Sequence, residues 1–497
     1  MNRDRRLQRF LEIVPGAFSW GSIVCLIVLA IVRPVACAVF VIVFDFYWII
    51  RTTYLTILLV MAHRRLMKEK DRNWLHACER LAPGKDFRSL YHLVIFPAYK
   101  EEPEVLRSSL AALAKSHYPM DRVIVVAAFE ERHKPSRQVA RVLEGEWAGR
   151  FHGYLSTFHP DGIPGERRLK GANATWAAKQ AKDLLEKRRI GLDQVIVSCF
   201  DADTCVDREY FGCLTYHFLT HPRPHQASYQ PIPVYNNNIW TAPSFARVVE
   251  LSASFVQLIE SMRLEKFVTF SSHSMSFKTL VDMGYWPVDM VSDDSVVYWK
   301  AYLHFKGDYE VVPLYTTVSM DVAYSSNFFK TLVVQYKQKK RWAFGVENFP
   351  FVVSGFLRTP GIPLAKKVRR SFHLLESHVT WALWATIIVV IAPLPVALGG
   401  RFFAQSPIGY NLPRITGLLF DFTMWTSLVW LVLSRMILPP RPRGVPWFTS
   451  VIMLAEWVMV PFIVIVLGST PALDAQTRLL FGKYLEFFPT EKSRRVV

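Results

Sequence analysis

Hydrophobic and polar positions divide the chain into three regimes. Near the start, two long apolar runs, residues 15–32 and 36–61, are separated by Arg33-Pro34, and each is long enough to cross a hydrocarbon core of about 30 Å. Through residues 87–343 the pattern changes to apolar runs of four to six residues alternating with longer amphipathic stretches. Residues 91–96, 123–126 and 195–200 read as buried strands, and 104–115 and 171–187 as helices. Strand–helix alternation of this kind predicts an α/β domain with a mainly parallel, Rossmann-like sheet. Beyond it, residues 325–341 and 351–370 mix apolar residues with Lys and Arg, the pattern of amphipathic helices lying in a membrane interface. Three more apolar segments follow, at 374–398, 415–437 and 447–468. The predicted division is 1–62 (an N-terminal transmembrane hairpin), 63–90 (a basic linker), 91–323 (the α/β domain), 324–372 (interfacial helices), 373–470 (C-terminal transmembrane helices) and 471–497 (a tail).

Charge sets the expected orientation. Arg3, Arg5, Arg6 and Arg9 precede the first run, and the cationic stretch from His63 to Lys70 follows the second, so both ends of the hairpin belong in the cytosol with the α/β domain. The loop from Pro439 to Arg443 suits the same side. Five spans put the C-terminal end outside, yet Lys492, Arg494 and Arg495 argue inside. Either the last segment is re-entrant, broken at Pro461, or residues 472–488 hold another element. Asp45, Arg51, Glu376, Asp421 and Glu456 fall inside apolar segments. The acidic ones line a polar conduit, or they pair with one another or with His378.

The chain is 51% hydrophobic and 14% aromatic, with a formal net charge of +18 over 497 residues. Much of the positive charge sits beside apolar segments, which favours a membrane surface and a phosphate-bearing substrate over nucleic acid. The six cysteines show no C-x-x-C or zinc-finger spacing and read as reduced packing residues.

Six local patterns carry candidate chemistry. The strand at 195–200 ends on Asp201-Ala202-Asp203, at the edge of a parallel sheet where ligands bind. Two carboxylates there suit Mg²⁺ or Mn²⁺ bridging phosphates, or else they form a solvated turn. Pro97, Tyr99 and Glu101 follow the first strand, in a loop able to clasp a nucleotide base or one merely leading into a helix. Glu130, after the second strand, accepts from a base or ribose, or forms a surface ion pair. Lys170 opens a helix, which is a phosphate site by charge and free amides, or a solvated first turn. Ser292-Asp293-Asp294 supplies a general base or caps the following helix. In Gln338-Lys339-Lys340-Arg341-Trp342, the guanidinium suits a phosphate leaving group and the indole a sugar face, with membrane anchoring as the competing role.

Taken along the chain (base loop, lysine at a helix start, D-x-D, paired carboxylates, Q-x-x-R-W, then apolar helices), the motifs resemble those of the membrane-integrated family 2 glycosyltransferases of GT-A fold, the group that contains cellulose and hyaluronan synthases. The resemblance spans Leu93 to Trp342 and the flanking helices. It implies that Asp201 and Asp203 hold the metal on a nucleotide diphosphate, and that Asp294 is the base of a T-E-D motif written here as S-D-D. Gln338, Arg341 and Trp342 fall on an intact Q-x-x-R-W. Pro97 to Glu101 resembles a P-x-Y-N-E loop with Lys100 in place of Asn. The second strand departs from the family pattern: Ala127-Ala128 stand where acidic residues are usual, with Glu130 as the nearby substitute.

The implied function is inverting hexosyl transfer from a nucleotide-diphosphate donor, expected to be a UDP-sugar, to a polysaccharide or lipid-linked acceptor at the cytoplasmic face of a bacterial inner membrane. Pro97, Tyr99, Glu101, Glu130, Lys170, Asp201, Gln338 and Arg341 would face the donor, and Asp293 and Trp342 the acceptor. The alternative is a non-catalytic membrane receptor for a nucleotide sugar or polyanion.

Overall fold

The computed structural model describes residues 2–442, 444–446 and 448–485. Arg443, Lys492, Arg494 and Arg495, which bore on orientation, lie outside the described residues, as do Trp447 and the tail beyond 485.

The α/β domain is built on one sheet of eight strands: β1 (Tyr91–Ala98), β2 (Val123–Glu130), β3 (Gly153–His159), β4 (Val195–Cys199), β5 (Cys205–Val206), β6 (Ala227–Tyr235), β7 (Ser274–Ser276) and β8 (Glu310–Met320). Their spatial order is β3-β2-β1-β4-β7-β6-β8-β5. The first four pair in parallel, β7 runs antiparallel to both neighbours, β6 and β8 are parallel, and β5 is antiparallel to β8. The sheet thus consists of a parallel wing and a mixed wing, meeting between β4 and β7.

Strand residues alternate between two apolar layers, as a period of two requires. Val94, Phe96, Val123 and Val125 pack under the helices Pro103–Ala114, Ser136–Trp147 and Tyr210–Thr220. Leu93, Ile95, Ile124 and Val126 pack under the helix Lys170–Lys187, whose Ala174, Ala177, Ala178 and Ala181 allow a close approach. Helices on both faces explain why β1, β2 and β4 read as continuous apolar runs.

Five helices are long and apolar enough to cross a membrane: Asp4–Val32, Pro34–Lys70, Leu364–Ile391, Pro407–Ile437 and Val451–Leu480. Two precede the α/β domain and three follow it, and among the described residues none lies within it. They join the domain through a third apolar layer, in which Leu58, Leu59, Ala62 and Leu66 meet Phe245, Val249 and Phe255 of the helix Ser244–Glu260, together with Leu433, Trp457 and Ile463. The six cysteines are all free thiols.

Several expectations need correction. Residues 351–370 are not one amphipathic helix. The helix Asn348–Arg358 ends, Pro360, Gly361 and Pro363 turn the chain, and a new helix, Leu364–Thr386, runs straight into the apolar segment. The turn follows from the chemistry of those residues: prolines supply no amide donor, and Gly361 takes φ of +93°. The helix expected at 325–341 forms at Phe328–Ala343, capped by the Asn327 side chain, which accepts from the Lys330 amide at 2.8 Å. Two of the acidic residues in the apolar segments, Glu376 and Glu456, have basic partners, while Asp45 Oδ1 is buried with no hydrogen-bond partner. Arg51 and Lys266 both meet Glu376, at 2.9 and 3.2 Å, and Arg247 donates to Glu456.

Candidate active site

The site lies at the seam between the wings. β4 delivers the chain to Asp201, and the segment before β7, Thr269 to His273, crosses directly opposite. Lys170 stands between the two acidic motifs. Its Nζ is 2.7 Å from Asp201 Oδ1 and 3.0 Å from Asp294 Oδ1. The two carboxylates are therefore no farther apart than two hydrogen bonds through one nitrogen. Burial alone would lower the ammonium's pKa, but Asp201 and Asp294 hold it well above the ordinary lysine value.

Gly171 explains how Lys170 reaches this position. A Cβ there would lie 2.2 Å from the Pro287 carbonyl oxygen and 3.0 Å from the Asp293 Cβ. Only glycine lets the helix start press against the loop that carries Ser292-Asp293-Asp294.

The acidic residues divide by environment. Asp201 and Asp294 keep about a quarter of their side-chain surface exposed. Ser271 Oγ donates to Asp201 Oδ2 at 2.7 Å, and Thr269 Oγ1 donates to the Asp294 carbonyl at 2.6 Å. Asp203 is buried, and its Oδ2 accepts from the Asp321 amide at 2.8 Å, tying the D-x-D turn to the end of β8. Asp293 is also buried, and its Oδ2 has no hydrogen-bond partner. Burial first, then repulsion from Asp294, pushes Asp293 well above the usual carboxylate range.

His273 lies 3.7 Å from Asp294 Oδ1, but this contact is not an ion pair. The Trp286 indole donates to His273 Nε2 at 3.2 Å, so the ring proton is on Nδ1, 2.9 Å from the Phe270 carbonyl that accepts it. Burial lowers the pKa of this ring and keeps it neutral.

Ser292 occupies the cap position of the helix Asp293–His304 without capping it. Its amide and hydroxyl donate instead to Glu347 Oε1, at 2.9 and 2.8 Å. Burial raises Glu347 to about 7, and the bonds from Ser292 oppose that rise. The expectation of a side-chain cap fails because the Ser292 hydroxyl is turned toward Glu347 and away from the helix amides.

The helix Phe328–Ala343 brings Q-x-x-R-W to the mixed wing. The Trp342 ring lies 5.7 Å from the Tyr235 ring, and Lys339 Nζ sits 3.6 Å above the indole. Lys339 is also paired with buried Glu250 at 2.9 Å. The Tyr235 phenol is held far above its ordinary value by burial first, then by Glu250, Asp201 and Asp203, with Arg341 acting the other way. Arg341 also lowers the pKa of Asp293, so its charge reaches the second acidic motif. Gln338 Oε1 is buried and without a hydrogen-bond partner.

The remaining predicted residues form a separate rim on the parallel wing. Pro97 lies within β1 opposite Ala128, and Glu101 accepts from the Tyr99 amide. The Arg132 guanidinium lies 4.1 Å above the Tyr99 ring and 3.2 Å from Glu130 Oε2. Glu130 Oε2 is 3.4 Å from His159 Nδ1, and Glu166 Oε2 is 2.8 Å from His159 Nε2. Burial opposes a charged imidazole here, but the two carboxylates outweigh it and raise the His159 pKa.

Thr269, Ser271, His273, Tyr235 and Glu347 are contributions that sequence reasoning missed. The polar run Ser271-Ser272-His273-Ser274 within apolar surroundings was the available signal. Its importance appears only when β7 places it beside β4.

A profile described as Glycosyl transferase family group 2 matches residues 196–470, more than half of the chain. No curated protein matches. Among solved structures, the chain is similar to a mannosyltransferase from Pyrobaculum calidifontis in complex with GDP-Man and Mn²⁺, at 16% identity over 80% of this chain and 98% of that one, with a TM-score of 0.45. It is also similar to residues 1–349 of S. aureus TarS in complex with UDP-GlcNAc, at 14% identity over 72% and 98% of the two chains, with a TM-score of 0.38. The matched region runs from β4 through both acidic motifs and Q-x-x-R-W into the C-terminal apolar helices, and on that extent the chain belongs to glycosyl transferase family group 2.

Proposed function

We propose that the protein transfers a sugar from a nucleoside diphosphate, expected to be UDP, to a hydroxyl group of a polysaccharide or lipid-linked acceptor at a membrane face, with inversion at the anomeric carbon. One observation carries this reading: Lys170 joins Asp201 and Asp294 in one partly exposed cluster. A diphosphate beside Asp201 and a hydroxyl beside Asp294 would then face the same sugar.

In this reading Asp294 takes the proton of the acceptor hydroxyl as its oxygen bonds to the anomeric carbon. The bond from that carbon to the diphosphate breaks, and its electron pair leaves with the nucleotide. Lys170 exchanges part of its pairing with Asp294 for the diphosphate as negative charge grows there, and Arg341 adds a second cation. Burial and the neighbouring Asp294 oppose a negative charge on Asp293, which disfavours a second anion beside the base. Tyr99, Arg132 and Glu130 form the rim for the base and ribose. Trp342 offers a flat face to the acceptor.

The residues fit a hard divalent cation, Mg²⁺ or Mn²⁺. Asp201 and Asp203 supply carboxylate oxygens, and no group of three His, Cys, Asp or Glu among the described residues forms a closed protein cage. A cation here would take its other ligands from diphosphate and water. When bound, it would neutralise charge on the departing diphosphate.

The test is transfer of radiolabel from a panel of sugar nucleotides by purified protein in detergent, with and without EDTA. The reading expects transfer from at least one donor, abolished by EDTA and restored by Mg²⁺ or Mn²⁺. Nucleotide-sugar binding with neither transfer nor nucleotide release would instead establish the non-catalytic receptor.

A further inference from the structure

The segment Val451–Leu480 is long and apolar enough to cross a bilayer, but its attachments hold both of its ends on one side. It is not one straight helix. Thr449–Ala455 passes into a 3₁₀ turn at Glu456–Met459, a short helix at Val460–Ile463, a π-helical stretch at Val464–Ser469 and the helix Thr470–Leu480. Pro461 and Pro471 each remove an amide donor along this path.

At its start, Glu456 Oε2 accepts from Arg247 Nε at 3.0 Å, and Trp457 lies beside Phe255. Both partners belong to the helix Ser244–Glu260 of the α/β domain. Toward its other end, Asp474 meets Lys340 at 3.0 Å and Tyr336 at 3.1 Å, on the helix Phe328–Ala343. These two helices are themselves joined by the Lys339–Glu250 pair. One ladder of contacts therefore ties Glu456 and Asp474 to the same layer of the same domain. Arg9 Nη1 then donates to the Leu479 carbonyl at 2.8 Å, at the basic start of the first apolar helix.

The middle of the segment stays in the layer next to the domain, where Ile463 and Leu467 pack with Leu58, Leu59, Leu433 and Phe255. Ser469 Oγ donates to the Trp381 carbonyl at 3.1 Å, and Gln476 donates to the His378 carbonyl at 2.7 Å. The helix on which Trp381 lies continues to Ile391, about 15 Å farther at 1.5 Å per residue. Across the bend the outward residues are apolar: Val458 is 79% exposed and Phe462 51%.

We propose that Val451–Leu480 is a re-entrant arc in the leaflet on the side of the catalytic domain, with acyl chains of that leaflet covering Val458 and Phe462. The chain then crosses the membrane four times, and Leu480 lies on the same side as Arg9 and the α/β domain. This rests on the reading that the apolar helices sit in a bilayer. Beside this arc, in the same apolar layer, are Tyr235 and Trp342, so the arc forms the lipid-side wall next to the Q-x-x-R-W helix.

The test places single cysteines at exposed positions of the full-length chain, Lys70→Cys, Gln405→Cys and Lys483→Cys, in a background carrying Cys25→Ala and Cys205→Ser. Labelling by a membrane-impermeant maleimide is read in sealed, right-side-out vesicles before and after detergent. The inference expects Gln405→Cys to react at once, and Lys70→Cys and Lys483→Cys only after detergent. Reaction of Lys483→Cys together with Gln405→Cys before detergent would overturn it. Identical behaviour of Lys70→Cys and Gln405→Cys would overturn it together with the membrane reading.

Discussion

The two wings of the sheet solve different problems with one set of hydrogen bonds. In the parallel wing, β3-β2-β1-β4, strands are buried on both faces and end in a rim of charged and aromatic groups: Tyr99, Arg132, Glu130 and His159. In the mixed wing, β7-β6-β8-β5, the strands carry polar side chains inward: Gln230 donates to the Ser271 carbonyl at 3.1 Å, and the Ser228 and Tyr309 hydroxyls meet at 2.7 Å. The parallel wing is a rigid platform for a ligand at its edge. The mixed wing positions side chains around reacting groups. The proposed chemistry falls on the seam, where Asp201 arrives from one wing and Ser271 from the other.

This contrast predicts that seam substitutions lower turnover, while wing substitutions change affinity or stability. Lys170→Met should lower kcat by about 10²–10³-fold, because it removes a positioned cation and leaves Asp201 and Asp294 to repel each other. Loss confined to KM would place Lys170 in the donor rim instead, as steady-state kinetics would reveal.

Glu347 supports the seam from behind and sets a pH dependence. Its folded value of about 7 is raised above the ordinary value of 4.5. Between those values the folded state keeps a proton that the unfolded state has lost. Stability from this group is therefore greatest below pH 4.5, declines as pH rises toward 7 and is level above it, a change on the order of 3 kcal/mol. Glu347→Gln should remove that decline, read from thermal midpoints measured across this range.

On the parallel wing, Glu130→Gln, at a buried carboxylate beside Arg132 and His159, should raise KM for the donor by about three- to tenfold with kcat nearly unchanged, the cost of one charge-assisted hydrogen bond. An equal fall in kcat would dissolve the distinction between rim and seam. The smallest effect concerns Lys100, which has φ of +70°, a left-handed conformation that asparagine tolerates better than lysine. Lys100→Asn should stabilise the protein by about 0.5–1 kcal/mol, seen as a higher melting temperature with donor affinity retained.

The same contrast decides what could be read in the sequence. β1, β2 and β4 are legible because strands covered on both sides must be apolar throughout. The mixed wing is opaque for physical reasons. β6 carries Pro231 and Pro233, β7 has three residues, and the β6–β8 register shifts between Pro231 and Ile232. Asp201, Asp294 and Arg341 were named from local motifs. Ser271, Thr269 and Glu347 contribute only through partners brought from distant parts of the chain, so no spacing announces them. The turn at 359–363 was legible in its Pro and Gly residues and was overlooked within an amphipathic pattern.

The central claim is that Asp294 accepts the acceptor's proton across the sugar from Asp201. Its most direct test is Asp294→Asn, comparing equilibrium nucleotide binding with single-turnover nucleotide release in the same preparation. The account predicts unchanged nucleotide binding with release slowed by about 10²–10⁴-fold. Release at the wild-type rate with intact binding would contradict it.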